Sequence, residues 1–261
     1  MYWFYWESNK ETPKNVLLLM SIFKKNLNNY TILTDKTIKD YISIENTENL
    51  PHIAQKVDYY RVKILYTYGG IWLDMDTIVL ENIDYLYNNL LNSDKEVCIS
   101  YSKDSVCMQH LISKPKSILF EKCYKLIEFH IIKLNKKVKK INKKIKSLKK
   151  KNKNITILNN KKKNLLNVKY DFFADLFAKS IIDNNLQNTI LPFPTEIRFS
   201  FGCKNANKYY LTDKKFIDEN MKKIKDNKYK IIILYGSSGF YNKTINKDTI
   251  LYKFIEYALI I

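Results

Sequence analysis

Apolar positions fall into short, regular bursts from the start of the chain. Tyr2 to Trp6 is an unbroken apolar run of the size of one buried strand. Pro13 then stands near a helix start, and Val16, Met20, Phe23 and Leu27 recur at the four-three-four spacing of a single helix face. Tyr30 to Leu33 reads as a second strand, closed by the polar turn Thr34-Asp35-Lys36 and followed by a short helix. The clearest helix runs from Ile53 to Tyr68, with Ile53, Val57, Tyr60 and Ile64 as its stripe and Gly69-Gly70 as its stop. Ile71 to Leu80 reads as a strand interrupted by acids, Glu96 to Tyr101 as another strand, and Lys116 to Ile132 as helix. This alternation predicts an α/β fold with a parallel sheet and ligand chemistry at its carboxyl edge.

Further along, the pattern changes character. Ile131, Leu134, Val138, Ile141, Ile145 and Leu148 alternate three and four apart, a heptad-like seam in a segment otherwise made of lysine and asparagine. This predicts a helical insertion, a projecting helix or hairpin fraying through residues 150–164. Beyond it, Tyr170 to Ile182 is an aromatic helix with Phe173, Leu176, Phe177 and Ile181 on its core face. Thr189 to Phe199 is a strand broken by Pro192 and Pro194. Tyr229 to Tyr235 is a late strand that leads into Gly236-Ser237-Ser238-Gly239, and a short helix ends at Ile261.

The charge changes how that insertion is read. The net charge is +19, yet 16 lysines and no acid lie between Lys133 and Lys169. Setting them aside leaves 29 basic against 26 acidic residues. The excess therefore belongs to one segment, for which a solvated insert, an anionic membrane surface, a partner helix or nucleic acid are the readings. Only Arg61 and Arg198 are arginines, which argues against a dedicated base-reading surface. Cys98, Cys107, Cys123 and Cys203 form no CxxC pair, as expected for a reducing, cytoplasmic setting. No apolar run approaches the roughly 18 residues of a membrane span, and the opening residues lack a secretory signal pattern.

The candidate chemistry lies in Gly69-Gly70-Ile71-Trp72-Leu73-Asp74-Met75-Asp76-Thr77. If the strand continues, Ile71, Leu73 and Met75 enter the core while Trp72, Asp74 and Asp76 project to the other side. Two carboxylates so placed repel one another unless a cation lies near them, and their hard oxygens suit Mn²⁺ or Mg²⁺ bridging to phosphate. On the preceding helix Asp58 and Arg61 are three apart and flank the apolar stripe. They read either as a surface ion pair worth a few tenths of a kcal/mol, or as a carboxylate for sugar hydroxyls beside a guanidinium for phosphate.

The run from Asp58 to Asp84 (DYYRVKILYTYGGIWLDMDTIVLENID) resembles the glycosyltransferases whose sugar-binding region contains a DXD motif. These include fungal initiating mannosyltransferases, capsular polysaccharide synthesis proteins and the glucosyltransferase domains of large clostridial toxins. Asp58, Arg61, Gly69, Gly70, Trp72, Asp74 and Asp76 stand in the family's order, and the opening YWFYW with Pro13 is similar to the capsular type. The resemblance implies one GT-A-type domain, a Rossmann-like mixed sheet flanked by helices. Its nucleotide-sugar part would be about residues 1–112, its lysine-rich insertion about 131–168 and its acceptor part about 169–261. It further implies a metal-dependent, retaining transfer from a UDP- or GDP-sugar to a glycan or protein acceptor. Trp6 (with Trp3 as alternative) would stack on the nucleobase, and Asp58, Arg61, Trp72 and Asp74 would bind the donor. Asp76 and Asp74 would hold the metal, with Ser238 or Asn242 (or Ser237) completing its shell. The His and Trp that often close such sites late in the chain are missing from Leu234–Asn242. No catalytic residue is assignable; Asp171 and Asp175 fall opposite the apolar face of their helix.

Two other readings compete. A haloacid-dehalogenase-type phosphatase also carries DxD after apolar residues, but there Gly and Thr follow, where this chain has Thr77-Ile78 after about seventy residues of α/β pattern. A non-catalytic protein binding nucleic acid or membrane through its basic insert is the other; metal-finger spacing of His and Cys is missing from the sequence.

Overall fold

The computed structural model describes residues 1–7, 11–45, 47, 50, 52–102, 105–150, 154–166, 172–234 and 240–261, without the side chains of Cys203 and Asn242. The strands are β1 (Tyr2–Tyr5), β2 (Tyr30–Leu33), β3 (Gly70–Leu73), β4 (Thr77–Val79), β5 (Val97–Tyr101), β6 (Val106–Ser113), β7 (Ile190–Pro192), β8 (Arg198–Phe199) and β9 (Ile231–Ile233). The helices are α1 (Lys14–Asn26), α2 (Ile53–Tyr68), α3 (Asp84–Leu91), α4 (Ile118–Lys150), α5 (Thr156–Leu166), α6 (Phe172–Asp183), α7 (Lys214–Asp226) and α8 (Ile250–Ile260). They form two compact units that interleave along the chain: Met1–Lys36 with Ile71–Asn89 and Pro192–Ile261, and Thr37–Gly70 with Leu90–Leu191.

In the first unit β1 lies between β2 and β3 and pairs with both in parallel, with Tyr2 opposite Tyr30 and Ile71, and Trp3 opposite Thr31 and Trp72. Parallel pairing needs a crossover, and α1 supplies it between β1 and β2. Val16, Leu19, Ile22 and Phe23 are its fully buried positions, and Phe23 stacks on Phe4 at 4.1 Å. Leu19 and Ile22 thus take the place expected of Met20, which is only half-buried. A smaller sheet in the same unit pairs β4 antiparallel and β8 parallel with β9. Around it Phe199, Phe201, Tyr209 and Phe254 form an aromatic cluster, and Tyr209 donates its hydroxyl to the Ile233 carbonyl at 2.5 Å. Both helices covering this region start on a side-chain cap: Asp213 accepts from Phe216 N–H before α7, and Thr249 accepts from Tyr252 N–H before α8.

In the second unit β5 and β6 form an antiparallel pair with Cys98 opposite Ile112 and Ile99 opposite Leu111. Helix α2 packs on α4, α6 and β6. Its C-cap is Gly69, at φ +66° and ψ −163°, a conformation that carries no side chain without strain. A Cβ there would also lie 2.7 Å from Pro115 Cδ and 2.9 Å from the Ser113 carbonyl oxygen. Parallel and antiparallel pairs with helices alongside make the fold mixed α/β, as the sequence indicates.

The lysine-rich segment does not begin a separate element. It is the continuation of α4, a single helix of 33 residues and about 50 Å. Its seam is buried at Ile131, Val138 and Ile141 and half-buried at Leu134, Ile145 and Leu148. Helix α5 follows and packs against α4.

Candidate functional site

Strand β3 ends at Leu73, and the acids lie beyond it. Asp74 to Thr77 is a tight turn closed by the Thr77 N–H on the Asp74 carbonyl at 3.1 Å, and β4 then joins the other sheet of its unit. The continuous strand expected through Asp76 is therefore broken. Trp72 and Leu73 are both fully buried, so β3 has core on both faces, and a simple alternation of core and solvent does not hold.

This turn has a consequence for the carboxylates. Asp74 is half-buried, and its Oδ1 accepts the indole N–H of Trp72 at 3.1 Å. Asp76 is 5% exposed, and its carbonyl accepts the Leu234 N–H at 2.9 Å. A fully buried indole thus anchors the Asp74 carboxylate, and the main chain of Asp76 is held by the residue that follows β9. The donor set is two hard carboxylates on a short turn, which fits a small divalent cation that keeps several waters and shares substrate phosphate. Among the described residues no three His, Cys, Asp or Glu side chains gather as a metal cage. Ser237 and Ser238 lie outside the described residues, as does the side chain of Asn242.

Trp6 leaves the same edge of the parallel strands. Three residues beyond the Trp3–Trp72 pair, β1 gives way to Trp6 and β3 has given way to the Asp74–Asp76 turn. Carboxyl ends of adjacent parallel strands are where open α/β sheets bind ligands. Trp6 is half-buried, with its ring centroid 5.1 Å from Tyr241. Its indole nitrogen is enclosed and makes no hydrogen bond among the described residues. Trp3, the alternative, is buried within β1. Tyr241 is the partner that sequence alone does not identify, because 235 residues separate it from Trp6.

Asp58 and Arg61 belong to the second unit. They are not a solvated pair: their residues are 8% and 4% exposed. Arg61 Nη2 lies 3.3 Å from Asp58 Oδ1, and Arg61 Nη1 donates to the Met108 carbonyl of β6. Burial pushes the nearby Cys123 thiol well above its usual range, and the Asp58 carboxylate adds to that shift. On the other side of α2, Tyr59 donates to Glu128 of α4 at 2.6 Å and Lys63 pairs with the same carboxylate at 2.7 Å. The helix bearing Asp58 and Arg61 is thereby fixed on both sides. Asp175 of α6 is half-buried rather than solvated.

No curated protein matches the sequence. Among solved structures, the chain aligns at 12% identity with the PaToxG glycosyltransferase (98% of this chain, 84% of that one, TM-score 0.43). It aligns at 12% identity with the galactosyltransferase LgtC bound to donor and acceptor sugar analogs (98% and 94%, TM-score 0.46). The glycosyltransferase GlyE of Streptococcus pneumoniae TIGR4 also aligns at 12% identity (100% and 60%, TM-score 0.45). Residues 4–97, about a third of the chain, match the family model described as "Glycosyltransferase sugar-binding region containing DXD motif", a stretch that takes in Trp6, Asp58, Arg61, Trp72, Asp74 and Asp76.

Proposed function

We propose that this protein is a glycosyltransferase that moves a sugar from a nucleotide-diphosphate donor, UDP-sugar in preference to GDP-sugar, to a hydroxyl of a glycan or protein acceptor. The reading includes a GT-A-type arrangement, a Mn²⁺ or Mg²⁺ requirement and retention at the anomeric carbon. The observation that carries it is the shared edge: Trp6 and the Asp74–Asp76 turn leave adjacent parallel strands at their carboxyl ends.

Each residue then has a task that its chemistry fits. Trp6 offers an aromatic face to the base, with Tyr241 supporting it from the side. Asp76 and Asp74 hold the cation, which neutralises the charge of the departing diphosphate. Trp72 orients Asp74 through its indole N–H, in the way that outer hydrogen bonds fix metal-binding carboxylates. Asp58 takes sugar or ribose hydroxyls, and Arg61 presents its guanidinium to oxygens of the donor. Ser238 or Asn242 remains the candidate for a further ligand from the late loop.

Thermal unfolding in the presence of UDP- and GDP-sugars and Mn²⁺ tests this reading. A ligand at about 100 times its Kd stabilises by roughly 2.7 kcal/mol. One nucleotide diphosphate should give a shift of that order, and EDTA or Asp76→Ala should remove it. If no nucleotide stabilises the protein with or without metal, the reading fails.

A further inference from the structure

The α4–α5 hairpin combines two features that the transfer reaction does not use. The first is a one-signed surface. No acid occurs between Glu128 and Asp171, and among the described residues none of the lysines from Lys133 to Lys163 makes an ion pair. Lys133, Lys137, Lys140 and Lys144 are all exposed, and their spacing of four, three and four puts them on one side of α4.

The second is a pocket at the root of the hairpin, about 220 Å³, lined by Leu50, Ile131, Leu134, Leu165, Phe172 and Phe173. Lys133 and Lys137 also line it, so the pocket opens beside the start of the lysine row. His130 completes the wall, with its ring edge-on to Phe172 at 5.4 Å. A cavity of this size is below the roughly 300–1,000 Å³ of pockets that enclose whole drug-sized ligands. It suits one apolar tail rather than a nucleotide-sugar. Exposed Phe129, Ile132 and Ile157 add apolar surface among the charges, with Ile157 83% exposed.

We propose that the α4–α5 hairpin docks this protein on an anionic phospholipid surface, with one acyl chain entering the pocket and the lipid head groups lying along Lys133, Lys137, Lys140 and Lys144. Basic helices with interleaved apolar residues bind anionic interfaces by this combination of attraction and shallow insertion. A single-stranded nucleic acid fits less well. Along the lysine row, residues 133–166 contain neither an arginine nor an aromatic side chain on which a base could stack; Phe129, His130 and Phe172 lie only at its root. Docking of this kind does not depend on the identity of the donor sugar.

Flotation of the full chain with vesicles tests the proposal. Vesicles of equal parts phosphatidylcholine and phosphatidylserine should carry the protein at low salt, and phosphatidylcholine alone should not. Each basic residue near an anionic surface contributes about a factor of five in affinity. The triple variant Lys137→Gln, Lys140→Gln, Lys144→Gln should therefore bind about 100-fold more weakly, with an unchanged unfolding temperature. Titration with a short-chain phosphatidylserine below its micellar concentration should give at least tenfold tighter binding than glycerophosphoserine, the equivalent of only about two buried methylene groups. Equal binding to both vesicle types, no loss in the triple variant, or equal affinity for the short-chain lipid and its head group would overturn the proposal. So would preferential capture of a single-stranded RNA over anionic vesicles, which would assign the lysine row to nucleic acid.

Discussion

Removing either partner of the Asp58–Arg61 pair separates a buried ion pair from a surface one. The Arg61 side chain is 5% exposed and that of Asp58 is 11% exposed. Arg61 also satisfies the Met108 carbonyl of β6, so truncation strands a backbone acceptor as well as a charge. Leaving one member of a buried pair uncompensated costs about 3–5 kcal/mol. For a chain of this size each kcal/mol lowers Tm by about 2–4 °C. Asp58→Asn and Arg61→Met should each unfold about 6–20 °C below the parent protein. The double variant should recover part of the loss, because the isolated charge is gone, giving a coupling energy of about 0.5–3 kcal/mol. Thermal unfolding followed by circular dichroism at several scan rates, with refolding checked, measures all three. Single variants within about 2 °C of the parent would match the few tenths of a kcal/mol of an exposed i,i+3 pair and would refute the buried-pair argument. Donor binding by whichever variants remain folded then separates function from stability. A larger loss of affinity for the sugar-nucleotide than for the bare nucleotide supports the donor role of Asp58 and Arg61, and equal weakening contradicts it.

Two further predictions concern the segment joining α2 to the acidic turn. Gly69→Ala places a Cβ against Pro115 and Ser113 in a backbone region reserved for glycine. The strain alone is about 1–3 kcal/mol, so a Tm unchanged within 1 °C, about a quarter to a half of a kcal/mol, would contradict the requirement for glycine at this C-cap. Trp72→Phe keeps an aromatic ring in the core but removes the hydrogen bond to Asp74. Loss of such an outer partner typically costs about 10–100-fold in metal affinity. Titration of Mn²⁺ against the nucleotide-bound protein should show that weakening; unaltered affinity would mean Trp72 does not position the acid.

Much of the architecture is legible because local signals and tertiary burial agree. Helix α2 is bounded as its periodicity indicates, since the glycine pair both stops it and permits the close approach to Pro115. Strands β1 and β2 are short apolar runs with turn residues after them, and Asp74 and Asp76 stand out as acids in such a run. What escapes the sequence depends on remote partners. The end of β3 at Leu73 follows from β4 pairing with β9, some 150 residues later, which alternation of side chains cannot register. Asp58 and Arg61 are adjacent by spacing, but their burial comes from cover by other elements, including the β6 main chain at Met108. Strand β6 itself carries Cys107, Gln109 and His110 in its interior, and these mask its strand pattern. His110 is nonetheless fully buried, with its ring nitrogens 3.1 Å from Ser100 Oγ and 3.5 Å from Cys107 Sγ. Helix α7 carries a legible start at Asp213, while its many lysines resemble the solvated insert and hide its apolar face.

The central claim is that the Asp74–Asp76 turn binds the diphosphate of a sugar donor through a cation. The most direct measurement is release of nucleoside diphosphate from a panel of UDP- and GDP-sugars by the purified chain with Mn²⁺. Slow hydrolysis of one donor is expected. Since the cation contributes several kcal/mol of charge stabilisation, EDTA and Asp76→Asn should each reduce the rate by at least about 100-fold. Hydrolysis that persists undiminished in EDTA or in the Asp76→Asn protein, or a panel in which no donor is cleaved, would contradict it.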